Sequence, residues 1–192
     1  MKKNFFLLVQ ISVIYLLFFS VSLADIQKKL INKITATKTL SFNFKQKIEG
    51  EEENGTCYIK YPLLMKCDYK NLKQKSIISN GRTVAIIKKK YKKIYYYPLK
   101  KTPLFVILQK NEILNLVKNN KPNKKNLNKI EFKFEDKKLN NLKIFFDKKS
   151  LKFTGWETID AYSNNVEFII TNVKENEVIN DSFFKIPKES EL

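Results

Sequence analysis

Histidine is absent from this 192-residue chain, and only four glycines, two cysteines and a single arginine, Arg82, occur in it. Without histidine, Ser-His-Asp and Cys-His nucleophilic catalysis and histidine-ligated metal sites are excluded. The four glycines form neither a P-loop nor a G-x-G-x-x-G fingerprint, so the usual nucleotide sites are excluded too. The length fits one domain. The classes of protein that this composition does not exclude are a carboxylate enzyme, a binding protein and a structural protein.

Acidic residues are also few, with 19 Asp and Glu against 37 Lys and Arg, for a formal charge of +18. Nearly all of the cations are lysine, whereas phosphate and base recognition favours the arginine fork. The charge therefore does not predict nucleic-acid binding. Two interpretations stay open: a codon bias that places lysine on solvated faces, or attraction to anionic lipid headgroups.

Residues 1–24 are predicted to be a cleaved export signal. A short lysine-containing start precedes an apolar run from Phe5 to Leu23, and small residues stand at Ser22 and Ala24. The alternative is an uncleaved membrane anchor, because about 20 apolar residues can span a bilayer. No cysteine follows the small residues, so lipoprotein processing is not indicated. Residues 25–192 are expected to form a single exported domain.

The exported region begins with a helical pattern and then changes to a strand pattern. Apolar residues from 25 to 38 recur at helical spacing, and residues 40–48 alternate between apolar and polar. The polar residues 49–55 predict a turn. Their acidic run is interpreted as a solvated hairpin tip, since nothing nearby completes a set of metal ligands.

The next two runs predict a hairpin that turns at Pro62 and places both cysteines on one face. Cys57 alternates with polar residues before the turn, and Cys67 does so after it. Opposed residues of paired strands come within reach of a disulfide, which an oxidising exported compartment would favour. A Cys57–Cys67 disulfide is therefore predicted, and two buried free thiols are the alternative.

Asn80-Gly81 predicts a further hairpin, and the aromatic run 91–97 predicts a strand that Pro98 stops. Thr102-Pro103 is typical of a helix start. The helix it opens is apolar without interruption over residues 104–108, which indicates that it is buried or covers something apolar. A third short helix is expected at 113–117, and residues 118–129 read as a polar loop.

Four strand-like runs follow at 130–135, 142–146, 151–159 and 166–173, and a last one is expected at 183–186. The predicted fold is mainly β with a few short helices: a meandering antiparallel sheet or half-barrel of roughly nine to eleven strands.

The order of these features resembles the outer-membrane lipoprotein carrier family, LolA. The shared features run from about residue 30 to 187 and comprise Phe44-Lys45-Gln46, Ile59-Lys60-Tyr61-Pro62, Ile77-Ile78-Ser79-Asn80-Gly81, Thr102-Pro103-Leu104 with Ile107-Leu108, the turn at Asp147, and Phe184-Lys185-Ile186-Pro187. The resemblance implies an incomplete antiparallel β-barrel with a helical lid over an apolar cavity.

The same resemblance implies a monomeric carrier in the periplasm of a Gram-negative bacterium, with no cofactor, metal, catalytic residue or enzymatic activity. Its expected partners are acylated lipoproteins, the inner-membrane ABC transporter that releases them and an outer-membrane acceptor. The family commonly has an arginine before the hairpin proline, where it bonds lid residues and helps to close the cavity. This chain has Tyr61 there, which is expected to line the cavity mouth without serving as that latch.

The alternation of apolar residues selects the candidate acyl-chain cavity residues, for each of which ordinary core packing is the alternative: Phe42, Phe44, Ile59, Tyr61, Met65, Tyr69, Leu104, Ile107 and Leu108. Two other functions stay in view. One is a related lipid- or glycolipid-binding, or lipoprotein-sensing, module on the same half-barrel. The other is a hydrolase built on carboxylates, namely Glu131, Asp147, Asp160 and Glu167, although no spacing pairs them on one strand face.

Overall fold

Alternation of apolar and polar residues builds most of the chain into strands. The computed structural model describes residues 23–72, 74–123, 128–134, 142–160 and 163–192. Its strands are β1 (Thr39–Ile48), β2 (Glu51–Lys60), β3 (Leu64–Tyr69), β4 (Lys75–Asn80), β5 (Thr83–Lys88), β6 (Lys93–Pro98), β7 (Lys129–Phe134), β8 (Leu142–Asp147), β9 (Phe153–Ile159) and β10 (Asn165–Glu175). Its α-helices are α1 (Leu23–Ala36), α2 (Leu104–Leu108) and α3 (Lys110–Asn119).

The ten strands form one antiparallel sheet in the order β6-β5-β4-β3-β2-β1-β10-β9-β8-β7. The first and last strands of the chain, β1 and β10, pair at the centre of the sheet. Strands β6 and β7 are its two edges, so the barrel is incomplete. This confirms the predicted fold class, including the number of strands and the helical lid.

One face of the curved sheet and the three helices share a single apolar interior. Burial alternates along the strands, as in β8, where every second residue from Leu142 is buried. Leu30 of α1, Ile107 of α2 and Val117 of α3 are each 0% exposed in the same cluster. The helices therefore fill the concave face of the half-barrel and act as its lid.

The first hairpin turns over two residues, Glu49 and Gly50, so the prediction of a turn over 49–55 was wrong in its length. Strand β2 begins at Glu51, which pairs with Ile48. Two of its glutamates form ion pairs with lysines of other strands, Glu52 with Lys45 of β1 at 2.7 Å and Glu53 with Lys75 of β4. Charged residues can extend a strand in this way where both sides meet water.

The C-terminal strap, residues 177–192, crosses the convex face of the sheet. The hydroxyl of Thr39 donates to the Glu177 carbonyl at 2.6 Å, and the Lys60 ammonium donates to the Ile179 carbonyl at 2.8 Å. Ile186 and Leu192 pack on a small cluster of β4, β5 and β6 residues. The strap therefore ties the middle of the sheet to its β6 edge.

The predicted strand at 183–186 was wrong, because Asp181–Phe184 form a 3-10 helix within the strap. The side chain of Asn180 accepts a hydrogen bond from the Ser182 amide at 3.0 Å and caps this helix. Phe184 is 1% exposed and Phe183 is 36% exposed, so the run buries one of its two rings without joining the sheet.

The predicted export signal, residues 1–24, lies outside the described residues except for Leu23 and Ala24, with which α1 begins. Residues 124–127 of the predicted loop 118–129 also lie outside them, and the loop is shorter than predicted because α3 continues to Asn119 and β7 begins at Lys129. Within the described part of the chain, no helix has the length and apolarity needed to cross a membrane.

Candidate functional site

An apolar cavity of about 160 Å³ lies between the concave face of the sheet and the start of α2. Its lining comes from β1, β3, β4, β9, β10 and the lid: Gln46, Met65, Cys67, Tyr69, Ile77, Pro103, Leu104, Trp156, Thr158, Val166 and Phe168. None of these side chains is charged. Among the described residues no lysine, arginine, aspartate or glutamate is buried, so the interior offers an apolar ligand an uncharged surface.

Stacked aromatic rings form one wall of this cavity. The ring centroids of Trp156 and Phe168 are 3.9 Å apart, and those of Phe168 and Phe44 are 4.7 Å apart, both pairs nearly parallel. The stack follows from register, because Phe168 of β10 lies directly opposite Trp156 of β9. Facing aromatic residues on adjacent strands stabilise the sheet and present flat apolar area.

Tyr69 borders the cavity with its ring, and its hydroxyl donates to Oε1 of Gln46 at 2.6 Å. The Lys75 ammonium lies 3.8 Å from the ring centroid. Burial raises the pKa of Tyr69 well above its usual range, and the nearby carboxylate of Glu53 raises it further. The phenol is therefore neutral at physiological pH and adds no charge to the cavity.

The lid is held by backbone groups as well as by apolar contacts. The Leu63 amide, in the turn between β2 and β3, donates to the Leu108 carbonyl at the end of α2 at 3.0 Å. The side-chain amide of Gln27 in α1 donates to the Val117 carbonyl of α3. The first contact joins the lid to the β2–β3 turn, and the second joins two helices of the lid.

Tyr61, where the family commonly has arginine, lines a smaller depression of about 30 Å³ near α1 and α3. The Lys110 ammonium, at the start of α3, lies 5.4 Å from the Tyr61 ring centroid and donates to the Thr35 carbonyl at 3.3 Å. Burial, and secondarily the charge of Lys38, lowers the pKa of Lys110. Burial raises the pKa of the Tyr61 phenol. At this contact the lid helix α3 therefore supplies the cation, Lys110, and the β2–β3 hairpin supplies the aromatic ring, Tyr61.

The sequence-predicted cavity residues divide into two groups. Met65, Tyr69 and Leu104 line the apolar cavity beside α2, and Tyr61 lines the smaller depression near α1 and α3. The others are buried in the surrounding apolar cluster: Phe42, Phe44, Ile59, Ile107 and Leu108. Half of the lining residues that sequence reasoning did not select as cavity residues come from β9 and β10: Trp156, Thr158, Val166 and Phe168. Their alternation in two paired strands was the available signal.

Cys57 and Cys67 lie directly opposite each other in β2 and β3, with Cα atoms 4.0 Å apart and their sulfur atoms joined. Cys67 also lines the cavity. The pair therefore fixes the register of two strands that form the cavity wall.

Two larger depressions, of about 490 and 740 Å³, are polar and open to water. They are lined mainly by lysine, carboxylate and amide side chains, so neither would shield an apolar ligand. Two of the candidate carboxylates are engaged with other groups: Asp147 accepts from Ser150 at 2.6 Å, and Glu167 pairs with Lys47 at 3.7 Å. No group of three or more metal-ligating side chains occurs among the residues that the structure describes.

Comparison with known proteins agrees with this geometry. A family model described as "Outer membrane lipoprotein carrier protein LolA" matches residues 35–187. An uncharacterized conserved protein from Thermus thermophilus aligns with a TM-score of 0.50 and 10% identity, over 86% of this chain and 94% of that one. This likeness is one of fold alone.

A LolA superfamily protein from Nitrosomonas europaea aligns with a TM-score of 0.46 and 8% identity, over 87% and 99% of the two chains. LprF from Mycobacterium bovis aligns with a TM-score of 0.48 and 10% identity, over 84% and 97%. No curated protein matches the sequence at a significant level. With the family model matching most of its length, this chain belongs to the outer membrane lipoprotein carrier protein LolA family.

Proposed function

We propose that this protein carries the acyl chains of lipoproteins through the periplasm, from an inner-membrane ABC transporter to an outer-membrane acceptor. The observation behind the proposal is the apolar cavity under the lid, whose lining contains no charged side chain. Membership of the family supports the same function. Removing acyl chains from water stabilises the complex by about 0.8 kcal/mol per buried CH₂ group.

The lid must open for this cargo. The cavity of about 160 Å³ is smaller than the roughly 300–1,000 Å³ typical of ligand sites. Leu104 of α2 faces the cavity, and α2 has five residues, so displacing this helix would enlarge the space directly. Because most lid contacts are apolar and non-directional, acyl chains can replace them without leaving buried polar groups unpaired.

Trp156, the single tryptophan of the chain, provides a direct test. Its side chain is 5% exposed and lines the cavity. A triacylated lipopeptide with brominated acyl chains is expected to quench its fluorescence, because bromine quenches only in contact. The same lipopeptide without bromine and the unacylated peptide should not quench.

Two variants control for the position of the ligand. Leu104→Glu places a charge in the cavity and should abolish quenching, whereas Val178→Glu adds the same charge at a fully exposed position and should not. No quenching by the brominated lipopeptide in the wild-type protein would refute acyl-chain carriage. Quenching by brominated phospholipid but not by lipopeptide would favour the free-lipid module.

A further inference from the structure

The edge strand β6 and the turns on either side of it expose an unusual set of side chains. Residues 88–101 contain seven lysines and four tyrosines and no acidic residue. Tyr91, Tyr95, Tyr96 and Tyr97 are 45–56% exposed, and six of the seven lysines are exposed. We call the exposed side chains of residues 88–101 the tyrosine-lysine edge.

The tyrosines project from both faces of the sheet. Tyr97 pairs with Val84, whose side chain belongs to the concave interior, and Tyr96 pairs with Ala85, which belongs to the convex cluster. Successive strand residues point to opposite faces, so the rings surround the end of the sheet. Tyr91 extends the set from the preceding 3-10 turn.

The lysines of this edge are not neutralised. In the described part of the chain none of them forms an ion pair with a carboxylate, unlike Lys45, Lys60 or Lys143 elsewhere. The carboxylate of Glu189, from the strap, accepts a hydrogen bond from the Ile94 amide at 3.0 Å and brings one negative charge to this edge, which the seven lysines outnumber. Lys88 lies over the Tyr95 ring at 5.2 Å. The edge therefore presents concentrated positive charge together with amphipathic rings.

We propose that the tyrosine-lysine edge docks this protein on the surface of a bilayer that contains anionic phospholipid. Lysines near such a surface each contribute to attraction, and tyrosine rings favour the headgroup region, where one end is apolar and the other is wet. Binding to a protein partner usually depends on anchor residues buried in pockets at the centre of the interface. A sheet edge with exposed rings on both faces fits a deformable layer of lipid headgroups better.

The tyrosine-lysine edge is connected directly to the lid along the chain. Leu99, 1% exposed, anchors the end of β6 in the interior cluster, and Lys100 and Lys101 follow it at the surface. Pro103 and Leu104, which line the cavity, come next along the chain. The edge thus leads within a few residues into the lid. Delivery of cargo at the docked surface rests on the proposed carrier function, whereas docking itself does not.

The test is sedimentation of the cargo-free protein without residues 1–24 with vesicles of phosphatidylcholine, alone or mixed with phosphatidylglycerol. Binding is expected only to the anionic vesicles and should weaken as salt rises. Lys90→Glu with Lys93→Glu is expected to lower affinity at least about tenfold. Lys148→Glu with Lys149→Glu changes net charge equally in an exposed turn at the other end of the sheet and should retain most of the binding.

A second pair of changes separates the rings from the charge. Tyr91→Ser with Tyr96→Ser should weaken binding at every salt concentration and leave the salt dependence unchanged. Equal losses in the two lysine variants, or equal binding to both kinds of vesicle, would overturn the proposal. So would binding to an acidic polypeptide without binding to vesicles. Bromine quenching of Trp156 in the edge variants tests cargo binding separately, so failure of either idea is distinguishable.

Discussion

The Leu63 amide donates a hydrogen bond to the Leu108 carbonyl, and this contact joins the β2–β3 turn to the end of the lid helix α2 at 3.0 Å. Both partners are backbone groups, so the contact depends on the position of the turn and not on a particular side chain. It occurs one residue after Pro62, beside the position where the family commonly has arginine. Here the closed lid is therefore held by a backbone contact and an aromatic ring.

Replacing Lys110 with glutamine should loosen the lid. The change removes the ammonium group beside the Tyr61 ring, a contact of the kind worth about 0.5–1 kcal/mol at exposed sites. The population of the open lid should then rise about two- to fivefold. Hydrogen exchange at the Leu63 amide measures this directly. Lys118→Gln, at an exposed position of the same helix, should leave the exchange rate unchanged. Equal rates in both variants would show that Lys110 does not hold the lid.

Thr158→Val should stabilise the fold or leave it unchanged. The Thr158 hydroxyl is buried and has no hydrogen-bond partner among the described residues, so its removal loses no bond and ends a desolvation cost of about 1 kcal/mol. Thr39→Val is the matched control, because that hydroxyl donates to the Glu177 carbonyl and its loss should cost about 1 kcal/mol. Urea unfolding measures both changes. Similar destabilisation by the two would contradict the assignment.

Cys57 and Cys67 should resist a thiol probe in denatured protein until a reductant is added. Replacing both with alanine should lower the free energy of unfolding by about 2–4 kcal/mol, since the pair closes a loop between opposed strands. Chemical denaturation of wild-type protein with and without reductant provides the comparison. Equal labelling in both conditions would show that the two thiols are free in the purified protein.

Tyr61 and Tyr69 should not ionise at pH 10–11 while the protein stays folded, because burial raises the pKa of both phenols. Their contribution to stability is complete below the unfolded pKa of about 10 and is lost as the pH rises above it. Phenolate absorbance distinguishes the states. Tyr61→Phe with Tyr69→Phe should leave the folded-state signal unchanged and reduce only that of protein in guanidinium. A smaller folded-state signal would refute the shift.

The fold followed from the sequence where alternation was regular. The pairing of β2 with β3, and the placement of Cys57 and Cys67 on one face, needed only Pro62 and a period of two, and the structure adds that the two residues lie directly opposite each other. The two errors have local causes. The acidic start of β2 is a strand because lysines of β1 and β4 pair with Glu52 and Glu53, and Phe184 is buried from a capped 3-10 helix. Neither the neighbours nor the cap is visible in a hydrophobic pattern.

The candidate site was less predictable than the fold. Alternation identified concave-face residues such as Phe42 and Met65 equally well, but the structure places Met65 at the cavity and Phe42 within the packed cluster. The difference depends on where α2 rests on the sheet, which is a tertiary property. The prediction left out Trp156 and Phe168 for the same reason, because alternation along a strand does not show where α2 rests on the sheet.

The strap also affects whether the protein can self-associate through the edges of its sheet. An open sheet has two edges, and an edge strand with free amide and carbonyl groups can recruit another chain and polymerise. At β6 the Ile94 amide donates to the Glu189 carboxylate, and Pro98 has no amide hydrogen to donate. The lysines of this edge also repel the same edge of a second copy. At β7 the Asn123 amide bonds the Glu131 carbonyl at 2.9 Å. The two open margins of this half-barrel are thereby protected from fibre formation.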